Sequence, residues 1–486
     1  MATRAEERHT RFARAREWGT TEEMNPLEAM MWRAEGDPRM RVTLAGVNIL
    51  DRSPDWDRLR DAHDWATRMV PRFRQRVVEP ALGVGAPSWQ VDPEFQLDRH
   101  LRRVQAPAPG DLRALLDLAA EVMMAPFDRD RPLWEAVLVE GLDGGQAAYI
   151  LKLHHSITDG LGNVQLLDML HSDRRRHDPH KPQPPVPVAN GNAPALLLGG
   201  QLVRTISAVP GAALQASRQA LGRLGGAAVH PRGALIGAAR AAASLEHVAT
   251  APGTAPSPLL APRSLRWRLE AVEVPLADLR SAAKATRASL NDVYLAAVLG
   301  ALRLYHEEFG IPLDEVPMAI PVSVRSDDDP LGGNRFTGLR FAGPAGEVDV
   351  RRRISLVREV VRRERAEPAV DVLAELAPLI GLLPGRVVSR LAVRLTPNQD
   401  VQASNVPGIS RRVYMAGAEI VKVYPFAPLP GCAAMITMVS HNEHCCVGAN
   451  LDAAAFTEPE LFAKCLSQAL DEVIALTAAG TPARST

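Results

Sequence analysis

The chain has only four cysteines in 486 residues, too few for a disulfide framework. Cys432, Cys445, Cys446 and Cys465 crowd into its last part, and no pair has C-x-x-C spacing. Cys445 and Cys446 adjoin on an expected strand and so face opposite ways, which is poor geometry for a shared metal. They read as reduced structural thiols of a cytoplasmic protein. Net charge is lacking as well: Lys+Arg and Asp+Glu both total 56, so no overall field argues for nucleic acid. Residues 1–21 are charged throughout and have no apolar h-region, so no secretory signal is expected. No apolar run is long and charge-free enough to span a bilayer. No repeat of solenoid period is present.

What remains is the composition of a folded soluble protein, 46% hydrophobic and 23% charged. The length exceeds one ordinary core, so two domains are expected. The boundaries are read as 1–172, a linker over 173–263, and 264–486. The linker opens on Arg174, Arg175 and Arg176 and a proline-rich stretch. Within it, 193–245 is rich in Ala, Leu and Gly and has no acidic residue. That composition suits either a helix lying on an anionic lipid surface or a helical connection packed between domains.

The first domain reads as mixed α and β. Asn25 and Pro26 start a capped helix, 42–49 is a strand, 56–70 a helix, and 111–125 a helix that stops at Pro126. Strand 135–140 passes through the turn Asp143-Gly144-Gly145 into an alternating strand at 148–153, expected to be central. In the second domain a strand covers 265–274. Ser289 and Asp292 cap a helix running to Glu308. Strands at 318–325 and 334–341 precede a basic helix at 351–365 and an apolar run at 372–395. Strands at 412–423, 433–440 and 445–451 and a helix over 459–476 finish the chain. His441 and His444 read as a polar hairpin turn.

The chemistry gathers at residues 154–160, His-His-Ser-Ile-Thr-Asp-Gly, where the central strand ends and a helix begins. Neighbouring side chains on extended backbone leave on opposite sides, so only one of His154 and His155 can face a given pocket. Asp159, around the corner, can brace the loop or an imidazole. The arrangement suits one histidine acting as general base on a hydroxyl or thiol and suits a metal poorly. No G-x-S-x-G elbow accompanies it, which argues against a covalent hydrolase. By themselves these residues leave a structural histidine pair and a general base both open.

His154-His155-x-x-x-Asp159-Gly160 resembles the signature of the coenzyme-A-dependent acyltransferase superfamily, which includes chloramphenicol acetyltransferase, carnitine acyltransferases and peptide-synthetase condensation domains. With Pro132-Leu133-Trp134 upstream, Asn291-Asp292 opening a long helix, and Ser404-Asn405-Val406-Pro407-Gly408 later, the chain resembles bacterial wax ester synthase/diacylglycerol acyltransferases over roughly 25–476. The resemblance implies an α/β (α+β) fold. Two chloramphenicol-acetyltransferase-like domains, each a mixed sheet flanked by helices, would hold the active-site tunnel between them. It implies long-chain acyl-CoA-dependent O-acyl transfer to diacylglycerol or a fatty alcohol, with acyl-CoA as co-substrate, no bound cofactor and no metal. His155 would be the base, with His154 beside it. Asp159 would hold the loop through an arginine, and Gly160 would permit the tight corner. Asn291 would steady the oxyanion, and Asp292 is the acid of the helix cap. Asn405-Val406-Pro407-Gly408 reads as an X-Pro-Gly turn after an extended segment; Pro132, Leu133 and Trp134 would shape the substrate channel, as would Asn405, Pro407 and Gly408. The implied setting is cytoplasmic, peripheral at the inner membrane or lipid droplets. Departures at Ile409, at 439–442 and at 30–33 bear on acceptor choice. The competing functions are a free-standing condensation-like enzyme using a carrier-protein thioester, and a lipid-surface protein without catalysis.

Overall fold

The computed structural model describes residues 4–80, 85–178, 181–188, 254–325, 329, 331–366, 387 and 399–477. The apolar-basic stretch 193–245 and, residue 387 aside, the apolar run 372–395 lie outside the described residues. The helices are α1 (Arg4–Glu17), α2 (Pro26–Ala34), α3 (Trp56–Met69), α4 (Leu112–Met124), α5 (Gly160–Leu170), α6 (Leu276–Ala285), α7 (Leu290–Glu308), α8 (Val350–Arg365) and α9 (Pro459–Ala475). The strands are β1 (Thr43–Leu50), β2 (Gln75–Val78), β3 (Ser88–Val91), β4 (Leu101–Gln105), β5 (Trp134–Glu140), β6 (Ala147–His154) and β7 (Trp267–Pro275). They continue with β8 (Glu315–Ser323), β9 (Phe336–Pro344), β10 (Val401–Pro407), β11 (Tyr414–Met415), β12 (Ala418–Phe426), β13 (Ala434–His441) and β14 (His444–Asp452).

Two six-stranded mixed sheets flanked by helices organise these elements, as the expected fold class requires. The first has the order β11-β12-β1-β6-β5-β4, the second β7-β14-β13-β10-β8-β9, and β2 and β3 form a separate hairpin. β11 and β12 come from the later part of the chain, so the second half lends two strands to the first sheet. β6 lies between β1 and β5 with all eight residues buried, which is why its sequence is an almost unbroken apolar run. Lys152 is the exception. Its ammonium donates to Ala125 O at 2.8 Å, pairs with Glu135 Oε1 at 3.2 Å and lies over the Phe127 ring, so the buried charge is satisfied.

One core packs α6, α7, α8 and α9 onto the second sheet, a second packs α1, α2, α3 and α5 onto the first, and a third joins α4, β1, β6, β12 and β14 between the sheets. β14 is shared: Cys445 faces the first core and Cys446 the third, and all four cysteines are free and buried. α7 is buried nearly all round because its sequence is apolar nearly all round.

Two expected strands and one expected turn differ in detail. The segment 412–423 is cut into β11 and β12 by a turn in which Ala416 and Gly417 take positive φ of 46° and 91°. β9 begins at Phe336 and leaves Asn334 in a loop. The turn expected around Pro407 is instead the end of β10. That strand pairs with β13 along its whole length but with β8 only at Val401 and Gln402. Among the described residues no strand pairs with the other edge at Pro407, a position where a proline is tolerated. His441 and His444 form the last pair of the β13–β14 hairpin. No described helix is long and apolar enough to cross a membrane.

Candidate active site

The corner at 154–160 is fixed from both ends. β6 ends on His154, whose N–H donates to Leu133 O at 3.0 Å, so the Pro132-Leu133-Trp134 element is stitched directly to the histidines. Asp159 is the N-cap of α5: its Oδ1 accepts from Gly162 N at 2.7 Å. Its Oδ2 accepts from Arg325 Nη2 at 3.2 Å and Arg335 N at 3.1 Å. The arginine that holds the loop is Arg325, at the start of the β8–β9 connection. Asp159 makes no hydrogen bond to His155 among the described residues, so it is a positioning group.

His154 is fully buried and engaged at both nitrogens. Nδ1 accepts from Ser156 N at 3.1 Å and faces Ser156 Oγ at 2.7 Å, while Nε2 lies 2.8 Å from Glu35 Oε2. A backbone N–H can only donate, so Nδ1 accepts and Nε2 supplies the proton to Glu35. Burial works against the Glu35 carboxylate, but the bond from His154, the Val42 N–H and the charge of Arg129 hold it below the usual range. Both ring nitrogens of His154 are thus taken.

His155 is held differently. Its N–H donates to Val42 O at 3.0 Å, and its ring lies 5.5 Å from that of Phe336. Asn334 clamps it twice: Oδ1 is 2.9 Å from His155 Nδ1, and Nδ2 donates to His155 O at 2.8 Å. The carbonyl can only accept, so the amide orientation is fixed with its oxygen towards Nδ1. Nδ1 of the neutral ring therefore carries the proton, and Nε2 keeps a lone pair with no partner among the described residues. Burial lowers the His155 pKa from its ordinary value, opposed by the charge of Asp159 and the bond to Asn334. A neutral ring with an available Nε2 can take a proton from a hydroxyl.

Asn334 is itself braced. Its N–H donates to Glu28 Oε1 at 3.0 Å and its carbonyl accepts from Asn25 Nδ2 at 3.1 Å. Asn25 and Glu28 form the capping box of α2. Burial pushes the Glu28 carboxyl up to about 7, against the hydrogen bonds from Asn25 and Asn334 and the charge of Arg72. The preceding Gly333 has φ +68°, and a Cβ there would lie 2.8 Å from Glu28 Oε1. Only glycine lets the loop approach so closely.

The later part of the chain meets the corner at two further points. Thr158 bridges Gly333, and a Cβ at Gly160 would lie 3.0 Å from Val406 Cγ2. The Asn405-Val406-Pro407-Gly408 element thus abuts the motif through Val406. Gly408 packs so tightly on Ser440 and Val439 that no Cβ fits. Asn405 lies on β10 opposite Met438 of β13.

Asn291 lies half-buried in the first turn of α7. Among the described residues its side chain makes no hydrogen bond, and none joins it to His155. The amide beside His155 is Asn334. Asp292 completes the α7 capping box with Ser289. Trp134 is buried, donates Nε1–H to Phe73 O at 2.8 Å and stacks on His100. Among the described residues no three His, Cys, Asp or Glu side chains converge as a metal site.

Sequence reading missed Asn334, Glu28, Glu35 and Arg325. The Gly332-Gly333-Asn334 turn and the acid three residues after Asn25 were signals of a constrained loop and a capping box. Neither points to a histidine 179 residues away.

The wax ester synthase/diacylglycerol acyltransferase catalytic domain matches residues 24–294, and the C-terminal domain of the same family matches 332–473. A putative diacylglycerol O-acyltransferase of Mycobacterium tuberculosis is 41% identical over 463 residues, covering 95% of this chain and 93% of its own. A second protein of that organism with the same description is 29% identical over 399 residues, covering 79% and 82%. The wax ester synthase/diacylglycerol acyltransferase from Marinobacter aquaeolei VT8 superposes with a TM-score of 0.62 at 21% identity, covering 94% of this chain and all of its own. The first condensation domain of the calcium-dependent antibiotic synthetase superposes at 0.58 and 17% identity, covering 94% and 97%, a likeness of fold. The two domain matches, and the relative aligned along nearly its whole length, have one conclusion: the chain belongs to the wax ester synthase/diacylglycerol acyltransferase family of O-acyltransferases.

Proposed function

We propose that the protein transfers a long-chain acyl group from acyl-CoA to the hydroxyl of diacylglycerol, giving triacylglycerol, or of a long-chain alcohol, giving a wax ester. His155 is the general base. Its Nε2 takes the acceptor proton as the oxygen attacks the thioester carbonyl. The tetrahedral adduct collapses, the C–S bond breaks, and the leaving thiolate of CoA recovers the proton from Nε2. No covalent enzyme intermediate is involved. The observation that carries this reading is the double clamp of Asn334 on His155, which puts the proton on Nδ1 and leaves Nε2 as the imidazole nitrogen of the motif without a partner among the described residues.

Asn291, with its amide unengaged among the described residues in the first turn of α7, is the group we assign to the oxyanion, where the helix dipole adds to its N–H. Pro132, Leu133, Trp134, Asn405, Pro407 and Gly408 shape the substrate channel. The catalytic part is 1–172 and its partner 264–486, joined by 173–263. The protein works in the cytoplasm at a membrane or lipid-droplet surface, where both substrates partition.

The test incubates the full chain with palmitoyl-CoA and either diacylglycerol or hexadecanol and resolves the lipid products. Ester in at least one arm, abolished by His155→Ala without a change in thermal melting, is the expected result. Ester formation undiminished in that variant refutes the role of His155, and no ester with either acceptor refutes the reaction.

A further inference from the structure

A cavity of about 340 Å³ lies between α3, β6, α5 and the β11 turn. No residue of 154–160 lines it. Its volume is within the range of sites that take small organic ligands. Tyr149, Leu151, Leu167, Leu170 and Met415 supply an apolar wall, which suits hydrocarbon and gives it no hydrogen-bonding handle; Trp134, assigned above to the substrate channel, also borders the cavity.

The polar groups on the wall fall into two kinds. His63 is satisfied: Nδ1 faces Leu59 O at 2.8 Å and Nε2 faces the Tyr149 hydroxyl at 2.6 Å. Burial lowers its pKa to about 4, so it is neutral at neutral pH. His171 is not satisfied. It is 91% buried, taking the complement of its 9% exposure, and its Nδ1 has no hydrogen-bond partner among the described residues. Lys181 is half-buried over the Trp65 ring at 4.1 Å and has no carboxylate within ion-pairing distance among the described residues. Burial and the charges of Arg11 and Arg58 work against this ammonium more than those of Asp178 and Asp173 favour it, a cost that a bound anion relieves. Asp61, Asp64 and Asp178 also line the cavity, and Asp64 is already taken by Arg68 at 2.9 Å and Arg74 at 2.7 Å.

We propose that this cavity is a second lipid site, apart from the reacting corner, and that it takes the anion of a free long-chain fatty acid, its chain on the apolar wall and its carboxylate on Lys181 and His171. The inference does not rest on the acyl-transfer reading, because nothing in it uses His155. The same chemistry, a hydrocarbon chain ending in an acyl carbon, could also arrive as the acyl arm of acyl-CoA, so the experiment separates the two sources.

The full chain carrying His155→Ala, in which turnover is not expected to consume the ligand, is titrated with cis-parinaric acid and then with saturated fatty acids of increasing length as competitors. Saturable binding is expected, tightening about fourfold for each added methylene until the cavity is full. Leu170→Trp and Leu167→Trp, which fill the cavity, are expected to weaken binding tenfold or more with unchanged thermal melting. Lys181→Gln is expected to weaken palmitate at least fivefold and hexadecanol less than twofold. The proposal is overturned if binding is not saturable, if both filling variants bind as well as the parent, or if Lys181→Gln affects acid and alcohol equally. It is also overturned if palmitoyl-CoA displaces the probe as well as palmitate does, which would make the cavity the acyl channel. Ester formation, measured separately with His155 intact, is expected to survive Leu170→Trp. Its absence in the unsubstituted protein would refute the proposed reaction and leave the lipid site standing on the binding data.

Discussion

Asn334→Ala is the substitution that most directly probes how the site works. It deletes two hydrogen bonds, at 2.9 Å to His155 Nδ1 and at 2.8 Å to His155 O. The backbone bonds from Asn334 to Glu28 and Asn25 survive, so the loop stays anchored. In the resting enzyme the Nδ1 bond joins two neutral groups and is worth about 1 kcal/mol. As the acceptor proton reaches Nε2 the ring becomes cationic, and the same bond becomes charge-assisted and worth about twice as much or more. The bond therefore strengthens on the way to the transition state, and its loss falls on kcat more than on KM. A loss of about 2 kcal/mol corresponds to roughly a 30-fold drop in rate. Losing the preferred tautomer adds to that. Asn334→Asp retains an acceptor for Nδ1 but loses the donor to His155 O, and its negative charge favours the protonated ring. It is expected to shift the acid limb of the pH–rate profile upward. Initial rates with saturating acyl-CoA and a single acceptor across pH 5 to 9 suffice. A kcat of Asn334→Ala within threefold of the parent, or an unmoved acid limb in Asn334→Asp, refutes the reasoning.

His154→Ala should act on stability, because it leaves the half-buried Glu35 carboxylate without its partner. A loss of about 2–4 kcal/mol in thermal or urea unfolding is expected, and an unchanged midpoint contradicts it. Asp159→Ala removes a helix cap and the ion pair with Arg325, which keeps its bonds to the Gly332 and Gly333 carbonyls, for a combined cost of about 2–4 kcal/mol. Asp159→Asn keeps the cap acceptor and should recover part of the loss, so equal melting of the two variants counts against this division. Because burial holds His155 below its ordinary value of 6.5, the base form predominates at neutral pH. The acid limb of the rate profile should therefore lie below pH 6.5; a limb above 6.5 contradicts this. Gly160→Ala places a methyl against Val406 and should cost about 1–3 kcal/mol by overpacking, relieved by Val406→Ala in the double variant. Additive losses in the double variant would show that the two do not touch.

Local patterns carried much of the architecture. The helix starts at Asn25, Asp111 and Ser289 are legible because a side-chain acceptor at the N-cap satisfies amides within a few residues. β6 is legible as a strand, but the alternation read there is a nearly continuous apolar run, because both of its faces are buried. The break between β11 and β12 is less so, because positive φ at Ala416 is imposed by the chain around it and not by its own preference. Pro407 misled for a similar reason. Proline reads as a turn unless the partner on its N–H side is known to stop short.

The sequence by itself singled out the corner to which we assign the chemistry. Two adjacent histidines at a strand end, an aspartate that caps the next helix and a glycine that admits Val406 all act within seven residues, and extended backbone already forces the two rings apart. Only the tertiary structure decided which ring is left with a free nitrogen. Glu35 closes His154, Asn334 opens Nε2 of His155, and Arg325 grips Asp159 from the β8–β9 loop. Those partners lie 119, 179 and 166 residues from the groups they hold. A hydrogen bond reaches about 3 Å in space and carries no mark of its partner in sequence. Folding the second sheet against the first is what brings Asn334 and Arg325 within that distance.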